Sequence, residues 1–283
     1  MMKKHLLFND YKPYFIWFIS GFFYLYEFVY RIIPSIIINE FMDEFSIDTY
    51  TLSYFSSYYF FAYAFMQIPA GYLLDKYKIN IILPLSILLV SINSYIFSIS
   101  NSLETAILTR ILIGMGSSFS FISCLKLGSL LFNKNKFALV VGITNLLGVC
   151  GAILSGKPLV YLITLYGWRN VIKIISIIGV LFFILLIFLF KNNNLKKYEN
   201  ILYNENFYIN IFNLLKNIKI LKISIYGGLI VAPIASYLEL WGMFFLVDNY
   251  SINKTLAAQI ISFSFIGIGI GGPLVGYLSS LYE

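Results

Sequence analysis

YFIWFISGFFYLYEFVYRIIPSI, residues Tyr14–Ile36, is long and apolar enough to cross a lipid bilayer as a single helix. Two charged residues, Glu27 and Arg31, lie inside it, where the lipid offers a charge no water. Backbone polar groups in lipid must be hydrogen-bonded within their own segment, so the stretch predicts a helix. Further apolar segments begin near Leu52, Ile79, Leu103, Phe137, Val171, Ile223 and Leu256. The chain is therefore predicted to be an all-α membrane protein with eight spanning helices.

The composition of the 283 residues excludes an ordinary water-soluble domain. Hydrophobic residues make up 59% of the chain and charged residues only 12%, which leaves little polar surface for water. The basic tail up to Pro13 precedes an apolar run about twice as long as a signal-peptide core, so we interpret the run as a retained first helix. Cys124 and Cys150 fall inside predicted helices and indicate packing rather than a disulfide framework or a metal cluster.

The net charge of +7 comes from cations that cluster in alternate connections between helices, not from a nucleic-acid-binding surface. The other connections contain two cations, Arg169 and Lys254. By the positive-inside rule both chain termini are predicted to be cytoplasmic. The richness in Ile, Asn, Lys, Phe and Tyr suggests a host-associated bacterium and its inner membrane. The cations on the predicted cytoplasmic side are Lys3, Lys4, Lys12, Lys76, Lys78, Lys134, Lys136, Lys191, Lys196, Lys197, Lys216, Lys219 and Lys222.

The connection formed by residues 191–222 divides the chain into two parts. Residues 1–190 are predicted to form a six-helix N-terminal bundle, and residues 223–283 two further helices. The first half of the connection is polar, whereas Phe207–Lys222 combines apolar and basic residues at helical spacing. This second half predicts an amphipathic helix on the cytoplasmic membrane face, in contact with lipid headgroups.

A gapless repeat relates the two parts, because GYLLDKYK at Gly71–Lys78 matches GYLSSLYE at Gly276–Glu283. Such internal repeats are typical of secondary transporters. GYLLDKYK also resembles the loop signature of the major facilitator superfamily, through Gly71, Leu73, Asp75, Lys76 and Lys78. RILIGMG at Arg110–Gly116 is similar to the arginine-and-glycine motif of that family's fourth helix. A narrower branch, with the lysosomal dipeptide transporter and its bacterial relatives, is resembled by YEFVYRIIPS (Tyr26–Ser35), MQIPAGYLLD (Met66–Asp75), LKLGSLLF (Leu125–Phe132) and ELWGMFFL (Glu239–Leu246).

The resemblance implies a fold of twelve helices in two six-helix bundles. This sequence is expected to hold the first bundle and the first two helices of the second, so it is truncated relative to the family. Ser280 stands where the second repeat would carry the counterpart of Asp75. The family's antiporter motif is only loosely matched by GVCGAILSGKP at Gly148–Pro158, so antiport is not supported.

Six charged residues within the apolar segments are candidates for a function: Glu27, Arg31, Arg110, Lys126, Lys157 and Glu239. On insertion scales each charge costs at least about 2.5 kcal/mol near the bilayer centre, so it is either functional or neutralised. Glu27 and Arg31 are four residues apart with the acid first, a spacing that permits an ion pair. At ~1.5 Å of rise per residue, these two residues, Arg110 and Glu239 fall in one layer and are predicted to share a cavity.

The sequence leaves two interpretations of this cluster. In one, Arg31 or Arg110 holds a solute carboxylate, while Glu27 or Glu239 holds an amine or takes a coupling proton. In the other, Glu27 and Arg31 only neutralise each other, and Arg110 satisfies helix carbonyls. Lys126 is a further candidate contact for the solute, but it lies near enough to the inner edge to snorkel.

Two further groups of residues have the same ambiguity. Trp241 either stacks on the solute or anchors its helix at the membrane interface. The predicted gating motif consists of Gly71, Asp75, Lys76 and Lys78, although Asp75 is also an ordinary turn residue in a basic loop.

These features predict a secondary transporter that moves a small solute by alternating access. The resemblance implies that the solute is a dipeptide, amino acid or related organic ion, and symport with protons is the expected coupling. No enzyme or cofactor is expected, because His5 is the sole histidine and the GIGIGG run at Gly267–Gly272 lies inside an apolar segment rather than after a strand. The alternatives are a truncated, non-transporting membrane protein or partner-dependent fragment, and a channel.

Overall fold

The computed structural model describes residues 2–191 and 207–281, and this part of the chain is almost entirely helical. The helices are α1 (Met2–Ile36), α2 (Ile38–Phe45), α3 (Thr49–Lys76), α4 (Ile79–Ser98), α5 (Leu103–Leu131), α6 (Lys134–Leu154), α7 (Lys157–Tyr166), α8 (Trp168–Lys191), α9 (Phe207–Lys216), α10 (Ile218–Pro233), α11 (Gly242–Tyr250) and α12 (Lys254–Leu281). A π-helical segment, Ile234–Trp241, joins α10 to α11. The all-α fold class is confirmed. The polar half of the predicted connection, residues 192–206, lies outside the described residues.

Seven helical stretches of the described residues are long and apolar enough to cross a membrane. One of them combines α6 with α7, and another runs from α10 through the π-helical segment to α11. Eight segments were predicted, and the segment not among these seven is α3. This helix is 28 residues long, but its Tyr, Ser and Thr side chains make it less apolar, and it packs along α5. The chain is thus an integral, multi-pass membrane protein.

Helix α1 lies at the centre of the described structure, where it packs against α5, α6 and the π-helical segment. Around it, α3 and α4 pack on α5, and α8 packs on α4. Glycines allow the closest crossings: a Cβ on Gly114 would collide with the backbone carbonyl of Tyr59, and one on Gly151 with that of Leu25. These positions let helix backbones approach without intervening side chains.

Residues 2–191 and residues 207–281 meet mainly through α6 and α12, which run in opposite directions. Gly142 faces the carbonyl of Gly272, with a Cβ there only 2.8 Å from that oxygen, and Gly276 faces Ala138 one turn further along. The two helices therefore pack backbone to backbone over about one turn.

Polar contacts fix the end of the structure at which α2 lies, here called the α2 end. Arg169, at the start of α8, binds Glu44 of α2 at 2.6 Å and donates to the carbonyls of Ser98 and Ser100. Asp48 caps α3 by accepting from the Thr51 amide at 2.9 Å. The hydroxyl and amide of Thr51 together lower the pKa of the Asp48 carboxyl.

The predicted amphipathic helix is divided between α9 and α10 in the structure. It was expected to run to Lys222, but α9 ends at Lys216 and α10 already begins at Ile218. The Asn217 side chain accepts from the amides of Lys219 and Ile220 and so caps α10. The last apolar helix before Trp241 therefore starts five residues earlier than its hydropathy alone suggested.

Gly151→Ala tests the close crossing of α1 and α6. We expect it to lower the melting temperature of the detergent-purified protein by about 5 °C, since overpacking a helix contact costs roughly 1–3 kcal/mol. Gly227→Ala is the control, because nothing lies within 4 Å of a Cβ at that position. Equal melting temperatures for the two variants would contradict this packing.

Candidate functional site

The Arg31 guanidinium lies between two carboxylates that come from different parts of the chain. Its Nε donates to Glu27 Oε1 at 2.9 Å, and its Nη2 lies 2.8 Å from the same oxygen. Its Nη1 forms an ion pair with Glu239 Oε2 at 3.4 Å. The three residues are 8%, 0% and 3% exposed, in that order. One cation thus joins α1 to the π-helical segment inside the protein.

Local helical structure explains how these side chains meet. The i,i+4 spacing on α1 stacks Glu27 one turn before Arg31, on the same helix face. Glu239 is carried by the π-helical segment, which packs against α1. Glu27, Arg31 and Glu239 form what we call the central triad.

Aromatic side chains enclose the central triad. The Tyr59 hydroxyl of α3 donates to Glu27 Oε1. The Arg31 guanidinium lies over the rings of Phe28 and Tyr63, at 4.5 Å and 4.7 Å from their centroids. These rings replace water with polarisable faces that favour a cation.

Arg110 approaches the central triad through Tyr59 and does not touch either carboxylate directly. It is 1% exposed, its Nη1 donates to the carbonyl of Tyr30 at 2.8 Å, and its guanidinium lies 4.5 Å from the centroid of the Tyr59 ring. Within the described residues its Nε and Nη2 have no hydrogen-bond partner. Arg110 therefore satisfies one helix carbonyl, and two of its nitrogens stay buried without an acceptor.

Lys126 lies elsewhere on α5, sixteen residues from Arg110, which is about 24 Å along the helix. Its ammonium binds the carbonyl of Leu74 and lies 3.1 Å from Asp75 Oδ1. The structure thus brings Lys126 to the predicted gating motif rather than to the central triad. We call this end of the structure the Asp75 end.

A cleft of about 270 Å³ opens at the Asp75 end. Its lining consists of Gly71, Leu74, Asp75, Ile122, Leu125, Lys126, Ser129 and Phe137. The other cations of the motif are not among these residues: Lys76 lies over the rings of Tyr72 and Tyr77, and Lys78 precedes α4.

Trp241 ends the π-helical segment and is half-buried. Its ring packs edge-on against Phe244, with the ring centroids 6.1 Å apart. Among the described residues, no three His, Cys, Asp or Glu side chains come together as metal ligands.

A second ion pair between the two parts of the chain was not predicted from the sequence. Lys254, at the start of α12, binds both Oε atoms of Glu40 at 2.7 and 2.8 Å and also donates to the carbonyl of Ile36. The sequence shows only a group of four acidic residues after the first helix, Glu40, Asp43, Glu44 and Asp48, and the isolated cation Lys254. In the part of the chain that the structure describes, two ion pairs therefore link the two parts, one in the interior and one at the α2 end.

Comparisons with known proteins identify relatives at the levels of family and fold. A family model described as Major Facilitator Superfamily matches residues 16–283. No curated protein matches the sequence. A similar solved structure, with a TM-score of 0.65, is that of a bacterial homologue of the human lysosomal transporter Spinster, in an inward-facing and unoccupied conformation. The two sequences are 15% identical, and the match covers 87% of this chain and 58% of that one.

Arg31→Met tests the central triad. It leaves two buried carboxylates without their cation, so we expect a loss of about 3–5 kcal/mol and a melting temperature lower by roughly 10 °C. Lys254→Met is the matched control, because it breaks a partly exposed ion pair that is worth about 1 kcal/mol or less. If both variants melt at the same temperature, Arg31 is not held as described.

Proposed function

As this chain belongs to the Major Facilitator Superfamily, we propose that it carries a small solute across the membrane as a secondary transporter. The main support is the central triad, in which one buried cation binds carboxylates from both parts of the chain. Isolated charges inside a membrane protein are costly, and they commonly mark substrate or ion pathways. A site at the junction of two parts is also where a change in their relative position alters binding.

The chemistry of the central triad favours a zwitterionic or anionic solute. The planar guanidinium of Arg31 can bind a carboxylate through two parallel hydrogen bonds, and Arg110 has two buried donors nearby. Glu27 and Glu239 can hold a solute ammonium or accept a coupling proton. We therefore propose a dipeptide, amino acid or related organic ion as the solute, with protons as the coupling ion.

Alternating access is the proposed mechanism. Arg31–Glu239 and Glu40–Lys254 both tie the N-terminal bundle, residues 1–190, to residues 223–283, and the second of these pairs lies at the α2 end. If both termini are cytoplasmic, the α2 end faces the outside, and the cleft at the Asp75 end faces the cytoplasm. The described conformation would then be closed outside, in line with the inward-facing state named for the structural relative.

The remaining predicted site residues have proposed roles of their own. Lys126 holds Asp75 at the mouth of the cleft, which suits a gate that opens when this ion pair breaks. Lys76 and Lys78 flank the same turn, where Gly71 leaves space beside α3. For Trp241 we propose contact with the solute when Glu239 changes partner.

The chain spans 58% of the structural relative. Two alternatives to a transporter stay open to test: a non-transporting membrane protein or partner-dependent fragment, and a channel.

Counterflow in proteoliposomes of the whole chain tests the proposal. Vesicles preloaded with unlabelled alanyl-alanine or alanine should accumulate the labelled compound, with saturation. Glu27→Gln and Arg31→Lys should each lower the initial rate roughly tenfold or more, which corresponds to about 1.4 kcal/mol of lost interaction. The first variant removes the charge of the acid, and the second removes the planar fork of the base.

Lys157→Gln is the control, since this cation is exposed at the start of α7. It should transport as the wild type does. Equal rates for all variants would contradict a role for the central triad. Absence of counterflow with any probe would favour the fragment, and conductance without saturation would favour a channel.

A further inference from the structure

The segment that carries Glu239 is π-helical over eight residues, Ile234–Trp241. π-helices are rare, occur mostly as single turns within α-helices and are frequent at functional sites. The segments on both sides, α10 and α11, are ordinary α-helices. Specific residues must therefore favour the i→i+5 hydrogen bonds of this segment over the i→i+4 bonds of an α-helix. The last of these bonds runs from the Gly242 amide to the carbonyl of Tyr237.

The two ends of the segment favour the π register. Pro233 precedes it and has no N–H, so one α-helical hydrogen bond is missing at the point where the segment begins. At the other end, a Cβ on Gly242 would lie 2.6 Å from the carbonyl oxygen of Tyr237. That oxygen belongs to the backbone of the same helix and cannot retreat unless the hydrogen-bond register changes.

Contact with the Ile261 side chain explains less well why residue 242 is a glycine. The same Cβ would lie 2.8 Å from Ile261 Cδ1, but this methyl group is the flexible end of a side chain. The backbone contact is therefore the one that selects glycine. The π register, in turn, sets which residue of the segment faces α1.

We propose that Gly242 is a positioning residue: by allowing the π register, it keeps Glu239 on Arg31. Conversion of the segment to α-helix by a one-residue slip moves each side chain by about 100° around the axis. Glu239 then leaves Arg31, and one of the two ties between the parts of the chain is broken. The inference rests on the proposed function in one respect: it takes the release of Glu239 from Arg31 to be a step of transport. The contact between Gly242 and the π register is tested without a solute.

A double-mutant cycle on melting temperature tests the inference. Gly242→Ala and Glu239→Gln should each lower the melting temperature, by about 4 °C or more if a buried charge contact is lost. Because both remove the same contact, the double variant should melt no lower than the worse single variant. Additive losses would mean that Gly242 acts apart from Glu239, and would overturn the proposal.

Gly228→Ala is the matched control on the same continuous helix, since nothing lies within 4 Å of a Cβ there. It should not lower the melting temperature. Gly242→Ala with Ile261→Ala removes the side-chain neighbour, and we expect no recovery. Recovery would assign the glycine to packing and contradict the proposal.

Size-exclusion chromatography provides a second readout if Gly242→Ala folds poorly. In the Glu239→Gln background, Gly242→Ala should give the same monodisperse peak in size-exclusion chromatography as Glu239→Gln alone. Loss of that peak would overturn the inference. Counterflow is not needed for any of these outcomes, so a failure of the proposed transport function is seen separately.

Discussion

The burial of the Arg31 guanidinium is the constraint on which the rest of the structure depends. A cation inside a membrane protein is costly unless other groups replace water around it. Here two carboxylates supply opposite charge, and the rings of Phe28 and Tyr63 supply polarisable faces. Since Glu239 comes from the C-terminal helices, satisfying Arg31 also requires that the two parts of the chain meet. The same contact therefore supports the fold and provides the groups that, in the proposed function, bind a charged solute.

Close helix packing makes this arrangement possible. Gly114 and Gly151 let α3 and α1 approach their neighbours backbone to backbone, which brings Tyr59 to Glu27 and sets α1 in the middle of the bundle. The α6–α12 contact joins the two parts along their length, while Glu40–Lys254 ties them at the α2 end. The π-helical segment lies between these contacts and carries Glu239 in the i→i+5 hydrogen-bond register.

Much of this could be predicted from the sequence, because hydropathy and i,i+4 spacing are local properties. The major facilitator family suggested by the Gly71–Lys78 motif is confirmed, and the branch resemblance stays a prediction. Contacts between distant residues carried no local signal, so neither Glu40–Lys254 nor Lys126–Asp75 was predicted. The solute role of Lys126 stays a prediction. The π register was also missed, since it depends on backbone contacts around Gly242 that hydropathy does not encode.

The most direct test of the central claim is a dipolar recoupling measurement by solid-state NMR between ¹⁵N-labelled arginine and ¹³C-labelled glutamate side chains. The chain has only three arginines, Arg31, Arg110 and Arg169, so few couplings arise. With Arg31 Nη1 at 3.4 Å from Glu239 Oε2, the wild type should show an arginine–glutamate coupling that is absent from Glu239→Gln. Identical dephasing in the two samples would show that Glu239 does not contact Arg31 and would contradict the account.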